Sequence, residues 1–187
     1  NFITSKSELE MMLFSNADFS NGRMQLGDYY LQTNNIAKAI ENYEMALYKD
    51  NLLLPVYSNL ATAYSLVNNF EKASETLDVW IGLDPMNSRP HYLKGLLNFE
   101  NGNDEVAIKE LKTAIKLDPN DTRSMYNLAT YYYQDNRDLS LAEKYINNAL
   151  KVIPSQPDYE YLLALIYQAQ GKNGQANIIM QKLKAIQ

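Results

Sequence analysis

The sequence predicts an all-α fold. Its apolar residues recur every three or four positions instead of alternating, which is the spacing of a helix face and not of a strand. Only 7 Gly and 6 Pro interrupt the 187 residues, so long helical segments can form. Apolar residues make up 46% and charged residues 21% of the chain, close to ordinary globular usage. We therefore expect a folded, helical protein of about one domain.

Composition also limits the partners. The net charge of -5 comes without a cluster of Lys or Arg, so nucleic acid is not an expected partner. Without cysteine, the chain cannot form disulfides or thiolate metal sites. The longest apolar run, at 161–167, is far shorter than the ~20 residues that span a bilayer, so direct membrane insertion is not expected. We predict a soluble segment, cytoplasmic or periplasmic, and its start at Asn1 instead of Met is typical of a piece of a longer protein.

A repeat of 34 residues organises the chain. A small residue followed three positions later by an aromatic recurs at this step. The clearest pairs are Gly27/Tyr30, Ala61/Tyr64 and Ala129/Tyr132, and Ala164/Tyr167 follows one residue late. A second series is formed by Ala39, Ala73, Ala107, Ala142 and Ala176. Both series slip by one residue between 132 and 142, so we expect the insertion in the turn-rich stretch 134–138, where it lengthens a loop without shifting a helix face.

Proline marks the end of three of the repeats, because it ends one helix and presets the first turn of the next, and Asn51 stands where the first such proline would be. The markers are Leu83-Asp84-Pro85, Leu117-Asp118-Pro119 and Ile153-Pro154. Earlier in the chain, Leu26-Gly27-Asp28-Tyr29-Tyr30 is followed by Ala39, Tyr43 and Ala46. Together these residues resemble the tetratricopeptide-repeat (TPR) family. The resemblance implies a TPR α-solenoid, which is a right-handed superhelix of antiparallel helix pairs.

The resemblance implies one TPR domain at 20–187, with repeats at about 20–53, 54–87, 88–121, 122–156 and 157–187. Residues 1–19 are expected to form an N-terminal flanking helix or partial repeat. Small residues in the first helix of each repeat let its two helices approach closely. They are Gly27, Ala61, Gly95, Ala129 and Ala164. The last helix carries Ile178, Ile179 and Leu183 without a polar helix after it, so self-association through the chain ends is a further expectation.

In this family the first helix of each repeat lines a concave groove that binds a protein or peptide. Carried over to this sequence, the peptide-binding groove contains Asn59, Arg89, Tyr92, Phe99, Arg123, Tyr126, Asn127, Tyr133 and Tyr161. Tyr and Arg are enriched at binding hot spots, because they bury a large area and keep a polar group. Tyrosine is abundant here, at 15 of 187 residues, so the alternative for each single aromatic is packing between helices.

Asparagine often hydrogen-bonds an extended peptide backbone in this family, and Asn59 and Asn127 occupy such positions. The alternative for both is a solvated polar face. TPR co-chaperones that grip the acidic tail of heat-shock proteins use Lys, Asn, Asn, Lys and Arg. The corresponding residues here are Met24, Asp28, Asn59, Arg89 and Leu93. Only Asn59 and the basic Arg89 fit, so this clamp is not expected.

No catalytic, cofactor or metal site is expected, and the chain is predicted not to be an enzyme. The single histidine, His91, lacks the Cys or Asp/His partners of a catalytic group. The sequence contains no Gly-rich phosphate loop, nucleophile elbow or His-Glu-x-x-His motif. The stretch 101–105 resembles a calcium loop but lacks its ligand spacing, and Asn120-Asp121-Thr122 fits a glycosylation sequon. Both are expected to be turns and caps.

The sequence therefore predicts a non-catalytic protein–protein interaction scaffold that binds a peptide or partner domain in its concave groove. On this hypothesis, Tyr126→Ala with Tyr133→Ala removes binding and leaves stability nearly intact. Two alternatives remain open. The array is a structural assembly or dimerisation arm, or it is the C-terminal TPR region of a multidomain bacterial protein. The second rests on the stretch 16–27, which is similar to TPR tails of periplasmic multihaem cytochromes.

Overall fold

The structure, a computed structural model, describes residues 19–185 together with Ser7 and Met11. The predicted flanking helix or partial repeat at 1–19 lies almost wholly outside these residues. Within the described part, ten α-helices follow one another in pairs and no strand is present. The helices are α1 (Phe19–Gln32), α2 (Ile36–Lys49), α3 (Leu54–Leu66), α4 (Phe70–Leu83), α5 (Ser88–Glu100), α6 (Asp104–Leu117), α7 (Thr122–Tyr133), α8 (Leu139–Val152), α9 (Pro157–Ala169) and α10 (Asn173–Lys184). A short 3₁₀ helix, Gln134–Asn136, lies between α7 and α8.

The turn between the two helices of a pair is encoded locally. Its middle residue adopts the left-handed conformation that glycine and asparagine tolerate best. These residues are Asn34 (φ 58°), Asn68 (φ 57°), Gly102 (φ 74°) and Gly171 (φ 76°). The next residue caps the second helix in two of the pairs, because the side chains of Asn35 and Asn69 accept hydrogen bonds from the backbone nitrogens of Lys38 and Lys72.

The one-residue slip of the repeat lies in such a turn. Five residues, 134–138, separate α7 from α8, whereas three residues join the two helices in each of the other four pairs. Asp138 then caps α8, since its Oδ1 accepts hydrogen bonds from the backbone nitrogens of Ser140 and Leu141 at 3.0 and 2.9 Å. The insertion therefore lengthens a connection and leaves the helix faces in register, as the sequence predicted.

The chain divides into two compact units. Unit 1 comprises the described residues up to Met86 together with Leu96–Asn103. Tyr43 of α2 is fully buried in its core. A Cβ atom at Gly27 of α1 would lie 2.5 Å from Cε1 of Tyr43, so only glycine permits this approach of the two helices. Trp80, which stands one repeat after Ala46, is also buried.

Unit 2 comprises Asn87–Gly95 and the described residues from Asp104 onward. Its central core joins α7, α8 and α9 through Ala129, Ala142, Ile146, Leu162, Leu163 and Ile166. Close helix approach again depends on glycine. A Cβ atom at Gly95 would lie 2.7 Å from Cδ2 of the fully buried Leu111. The predicted role of small residues in the first helices therefore holds for both glycines.

Candidate functional site

The predicted groove residues are distributed over both units. In unit 1, Asn59 of α3 belongs to a hydrogen-bonded cluster. Its Nδ2 donates to Oδ1 of Asp28 at 2.9 Å, and the Tyr43 hydroxyl donates to the same oxygen at 2.6 Å. The Ser58 hydroxyl donates to Oδ1 of Asn59 at 3.3 Å. Both ends of the Asn59 amide are therefore engaged inside unit 1, and its contact with a peptide backbone stays a prediction.

Burial raises the pKa of Tyr43, and the hydrogen bond to Asp28 and the negative charge of that carboxylate raise it further. Burial also raises the pKa of Tyr64, with a second contribution from its hydrogen bond to Glu44. Each hydroxyl donates to a carboxylate, and this interaction is lost when the phenol ionises. Both phenols therefore stabilise the fold only while they are protonated.

This arrangement predicts a specific alkaline titration. Because the folded-state pKa is raised, the stabilisation is complete below the unfolded value of about 10 and is lost as the pH rises through the folded pKa. We expect tyrosinate absorbance near ~295 nm to include a late component that appears only together with loss of helical circular dichroism. Tyr43→Phe should reduce that late component. Ionisation of every tyrosine before any helix is lost would contradict the prediction.

In unit 2, Arg123 of α7 reaches Tyr92 of α5. Its guanidinium carbon lies 4.7 Å from the centroid of the Tyr92 ring, within the range of a cation–π interaction. Nε of Arg123 also lies 3.2 Å from Oδ1 of the buried Asp121, whose other oxygen accepts a hydrogen bond from the Ser124 hydroxyl at 2.7 Å. Burial raises the pKa of Tyr92, whereas the nearby guanidinium groups of Arg123 and Arg89 lower it. Arg89 precedes Tyr92 by three residues in the same helix, so the two side chains share one helix face.

Asn127 is engaged locally in the same way as Asn59. Its Nδ2 donates to the backbone oxygen of Arg123 at 2.8 Å, one turn earlier in α7. The Asn127 side chain also contributes to lowering the pKa of Tyr92. The Asn127 amide is therefore engaged within α7, and its contact with a peptide stays a prediction.

Tyr126 and Tyr133 are half-buried and pack against the core of unit 2. Tyr126 stacks on Tyr159 of α9, with ring centroids 5.2 Å apart and an angle of 27° between the rings. The Tyr159 hydroxyl donates to Oγ1 of Thr122 at 3.1 Å. Tyr159 is not among the groove residues predicted from the sequence. Its position in the first turn of α9 is the only sequence feature that indicates a role for it. The alternative of packing between helices is thus favoured for Tyr126 and Tyr133.

Three predicted groove residues of unit 2 are exposed. Arg89 and Arg123 lie in the first turns of α5 and α7, and Tyr161 lies in the second turn of α9 with 51% of its surface exposed. The remaining residue, Phe99, is half-buried and belongs to unit 1. The exposed candidate site therefore consists of Arg89, Arg123 and Tyr161, with Tyr92 beside the two arginines.

His91, the stretch 101–105 and the sequon at 120–122 take part in helix contacts, turns and helix starts. His91 Nδ1 lies 2.7 Å from Oε2 of Glu110, which links α5 to α6. Residues 101–103 form the turn between these helices, and Thr122 of the sequon is buried at the start of α7. Among the described residues, no three His, Asp or Glu side chains are placed to hold a metal ion. No helix in the described part of the chain is long and apolar enough to cross a membrane.

Comparison with known proteins identifies the repeat. Two protein-family models match, one described as "TPR repeat" at residues 95–136 and one as "Tetratricopeptide repeat" at residues 21–48. A TPR repeat-containing protein of Methanocaldococcus jannaschii is 34% identical over 87 residues, which are 46% of this chain and 15% of that protein. The chain thus spans only a small part of the length of this relative.

Solved structures share the fold. PilF of Pseudomonas aeruginosa superposes with a TM-score of 0.79 at 18% identity, over 97% of this chain and 82% of that chain. MamA has a TM-score of 0.70 at 21% identity, with 89% of this chain and 90% of that chain covered. YrrB has a TM-score of 0.64 at 17% identity, with 96% and 92% covered. The predicted all-α TPR solenoid class is confirmed by these structures, and the two family matches and the M. jannaschii relative identify tetratricopeptide repeats in the chain.

Proposed function

We propose that the chain is a non-catalytic scaffold that binds a peptide segment of another protein on the first helices of unit 2. Proteins of this family are generally scaffolds for protein–protein interaction, and their stacked repeats present extended binding surfaces. The peptide would bind to the last three of five proposed repeats. The five repeats begin near Ser20, Leu54, Ser88, Thr122 and Pro157. The observation that carries it is the exposed Arg123 side chain held over the Tyr92 ring, with Arg89 beside it.

The register of the repeats extends this site. Arg89 and Arg123 are 34 residues apart and occupy equivalent positions of successive first helices. Tyr92, Tyr126 and Tyr161 are likewise equivalent, after the one-residue insertion is taken into account. Because equivalent positions of stacked repeats lie side by side, the two arginines and the three tyrosines form two neighbouring rows. Such rows suit an extended peptide that offers acceptor groups to the arginines and apolar or aromatic side chains to Tyr161.

A structural relative supports peptides as the kind of ligand. YrrB is described as a TPR protein with an unusual peptide-binding site. At 17% identity this likeness concerns the fold alone. In this chain Tyr126 and Tyr133 pack against the core of unit 2, and Arg89, Arg123 and Tyr161 supply the exposed contact area.

The test uses Arg89→Ala combined with Tyr161→Ser. Peptides of about 10 residues would first be selected from a displayed random library on the intact wild-type chain. Fluorescence anisotropy would then give the dissociation constants of the selected peptides. We expect the double variant to weaken binding by about tenfold or more, because each exposed anchor lost contributes on the order of 1 kcal/mol.

A matched control removes one cation and one exposed apolar side chain elsewhere in unit 2, through Lys151→Ala with Ile153→Ser. This variant should bind the selected peptides like the wild type. Both double variants change exposed residues, so their helical circular dichroism should be unchanged. Equal affinities for the wild type and for Arg89→Ala/Tyr161→Ser would remove the proposed site.

Self-association is the second candidate function, and one observation favours it. Ile178 of α10 is 69% exposed, which is unusual for an isoleucine on a helix that packs on a partner helix. If α10 serves as an assembly surface, sedimentation velocity should show concentration-dependent association that Ile178→Ser abolishes. A chain that stays monomeric at all concentrations would leave peptide binding as the function of this unit.

A further inference from the structure

Unit 1 carries exposed apolar side chains on the outer sides of its second helices and in the turns that follow them. They are Met45, Tyr48, Leu52, Val79 and Met86, and we call this set the apolar stripe. Tyr48 and Met86 are 86% and 76% exposed, although both are large apolar residues. Val79 and Met86 follow Met45 and Leu52 by 34 residues, so they occupy equivalent positions of two stacked repeats and lie side by side.

The same positions are polar in unit 2, so the fold does not require apolar residues there. The position of Met45 and Val79 holds Thr113 and then Asn148 in the next two repeats. The remaining equivalents are Lys116 and Lys151 for Tyr48, and Asn120 and Ser155 for Leu52 and Met86. The helix pair thus folds with polar residues at all three positions. The apolar stripe of unit 1 serves something other than packing within the repeat.

The charge beside these positions also reverses between the units. Glu41 and Glu75 precede Met45 and Val79 by one helical turn and share their exposed face. The equivalent residues of unit 2 are Lys109 and Lys144. The described residues of unit 1 contain nine Asp and Glu against four Lys and Arg, whereas those of unit 2 contain ten against twelve. The apolar stripe therefore lies on the acidic unit.

The lysines of α2 and α4 are turned toward aromatic rings of unit 1. Nζ of Lys38 and of Lys72 each lies 5.3 Å from a ring centroid, over Tyr30 and Tyr64. Nζ of Lys49 lies 5.9 Å from the centroid of the Phe19 ring. The carboxylates of Glu41 and Glu75 are thus the charges that accompany the apolar stripe, and a partner of opposite charge is attracted to it.

We propose that the apolar stripe, together with Glu41 and Glu75, is a second docking surface that binds a basic amphipathic helix of another protein. Apolar residues at i, i+3 and i+4 of such a helix cover the five exposed side chains, and its Lys or Arg residues meet the two glutamates. This surface lies on unit 1, whereas the proposed peptide site lies on unit 2. The two sites allow one chain to hold two different partners.

The probe is a synthetic helical peptide of about 18 residues with Leu and Lys at amphipathic spacing. One comparison peptide has Glu in place of Lys, and a second has Ser in place of Leu. Binding to the intact chain would be measured by isothermal titration calorimetry at two salt concentrations. The wild-type chain should bind the Leu/Lys peptide, with weaker binding at the higher salt concentration, and it should bind both comparison peptides at least about tenfold more weakly.

Two variants exchange the surface for the residues that unit 2 carries at equivalent positions. The apolar variant combines Met45→Thr, Leu52→Asn, Val79→Thr and Met86→Asn. The charge variant combines Glu41→Lys with Glu75→Lys. Each should weaken binding of the Leu/Lys peptide by about tenfold or more, and the charge variant should also remove the salt dependence. The matched control, Val106→Thr with Ile153→Asn, alters exposed apolar residues of unit 2 and should leave binding unchanged.

Three results would overturn the proposal. The first is no binding of the Leu/Lys peptide to the wild-type chain. The second is equal affinity of the Leu/Lys peptide for the wild type and the apolar variant. Binding would then come from attraction between opposite charges alone. The third is concentration-dependent self-association in sedimentation equilibrium that only the apolar variant abolishes, because the occupant would then be a second copy of this chain. None of these results bears on peptide binding by unit 2. The two proposals are therefore tested independently.

Discussion

Gly27→Val is expected to lower the free energy of unfolding by about 3 kcal/mol. The new Cβ would lie 2.5 Å from the ring of Tyr43, which is fully buried and donates a hydrogen bond to Asp28. The ring cannot move away without losing that hydrogen bond or displacing α1. Overpacking of this kind typically costs about 1–3 kcal/mol, and the shift of a buried polar pair places this case at the upper end. Chemical denaturation followed by circular dichroism measures the change.

The matched control is Gly82→Val. Gly82 lies in α4, and a Cβ there would meet no atom within 4 Å. The substitution should change stability by no more than about 0.5 kcal/mol, because the slightly better helix propensity of valine is its only effect. A Gly27→Val chain as stable as Gly82→Val would show that α1 and α2 do not require glycine at their contact.

The double substitution Tyr126→Ala with Tyr133→Ala is expected to lower the free energy of unfolding by about 3 kcal/mol. Replacing a fully buried aromatic by alanine costs about 3–5 kcal/mol, and these two half-buried rings each contribute roughly half of that. Both pack against the core of unit 2, and Tyr126 also loses its stacking on Tyr159. This result would correct the sequence-based hypothesis that the pair affects binding alone. Thermal and urea unfolding measure it.

Tyr48→Ala with Tyr161→Ala provides the comparison, since it makes the same two chemical changes at exposed positions. Its stability should stay within about 1 kcal/mol of the wild type. If the two double variants were equally stable, Tyr126 and Tyr133 would not be core residues. They would then return to the set of candidate contact residues for a peptide.

The fold was predictable because the repeat spacing, the turn residues and the position of the insertion all indicate the same helix pair. The 34-residue step places Ala39, Ala73 and Ala107 at equivalent positions, and all three are fully buried. Asn-Asn, Asn-Gly and Gln-Gly pairs supply left-handed turn residues between the helices. The insertion was also predictable, since both residue series slip at one place and only a loop absorbs an extra residue without turning a helix face. Local chemistry thus specifies the helices and their connections.

The candidate site was less predictable, because register shows which side of a helix a residue occupies and not what covers it. Tyr92, Tyr126 and Tyr161 are equivalent in sequence, yet Tyr161 is exposed while Tyr126 lies under Tyr159 of the next first helix. Asn59 has the residue type that suits a peptide backbone, but Asp28, 31 positions earlier, takes its amide. Such contacts depend on packing between helices that no single repeat encodes. Sequence therefore predicts the face, and the structure selects the exposed residues on it.

Site-specific photocrosslinking would show whether a peptide binds on the first helices of unit 2. A photoreactive benzoylphenylalanine would replace Tyr161 in one intact chain and Ile153 in another, both at exposed positions. We expect a selected peptide to crosslink to position 161 and not to position 153, and excess unlabelled peptide to suppress the crosslink. Crosslinking at position 153 with none at position 161 would contradict this expectation.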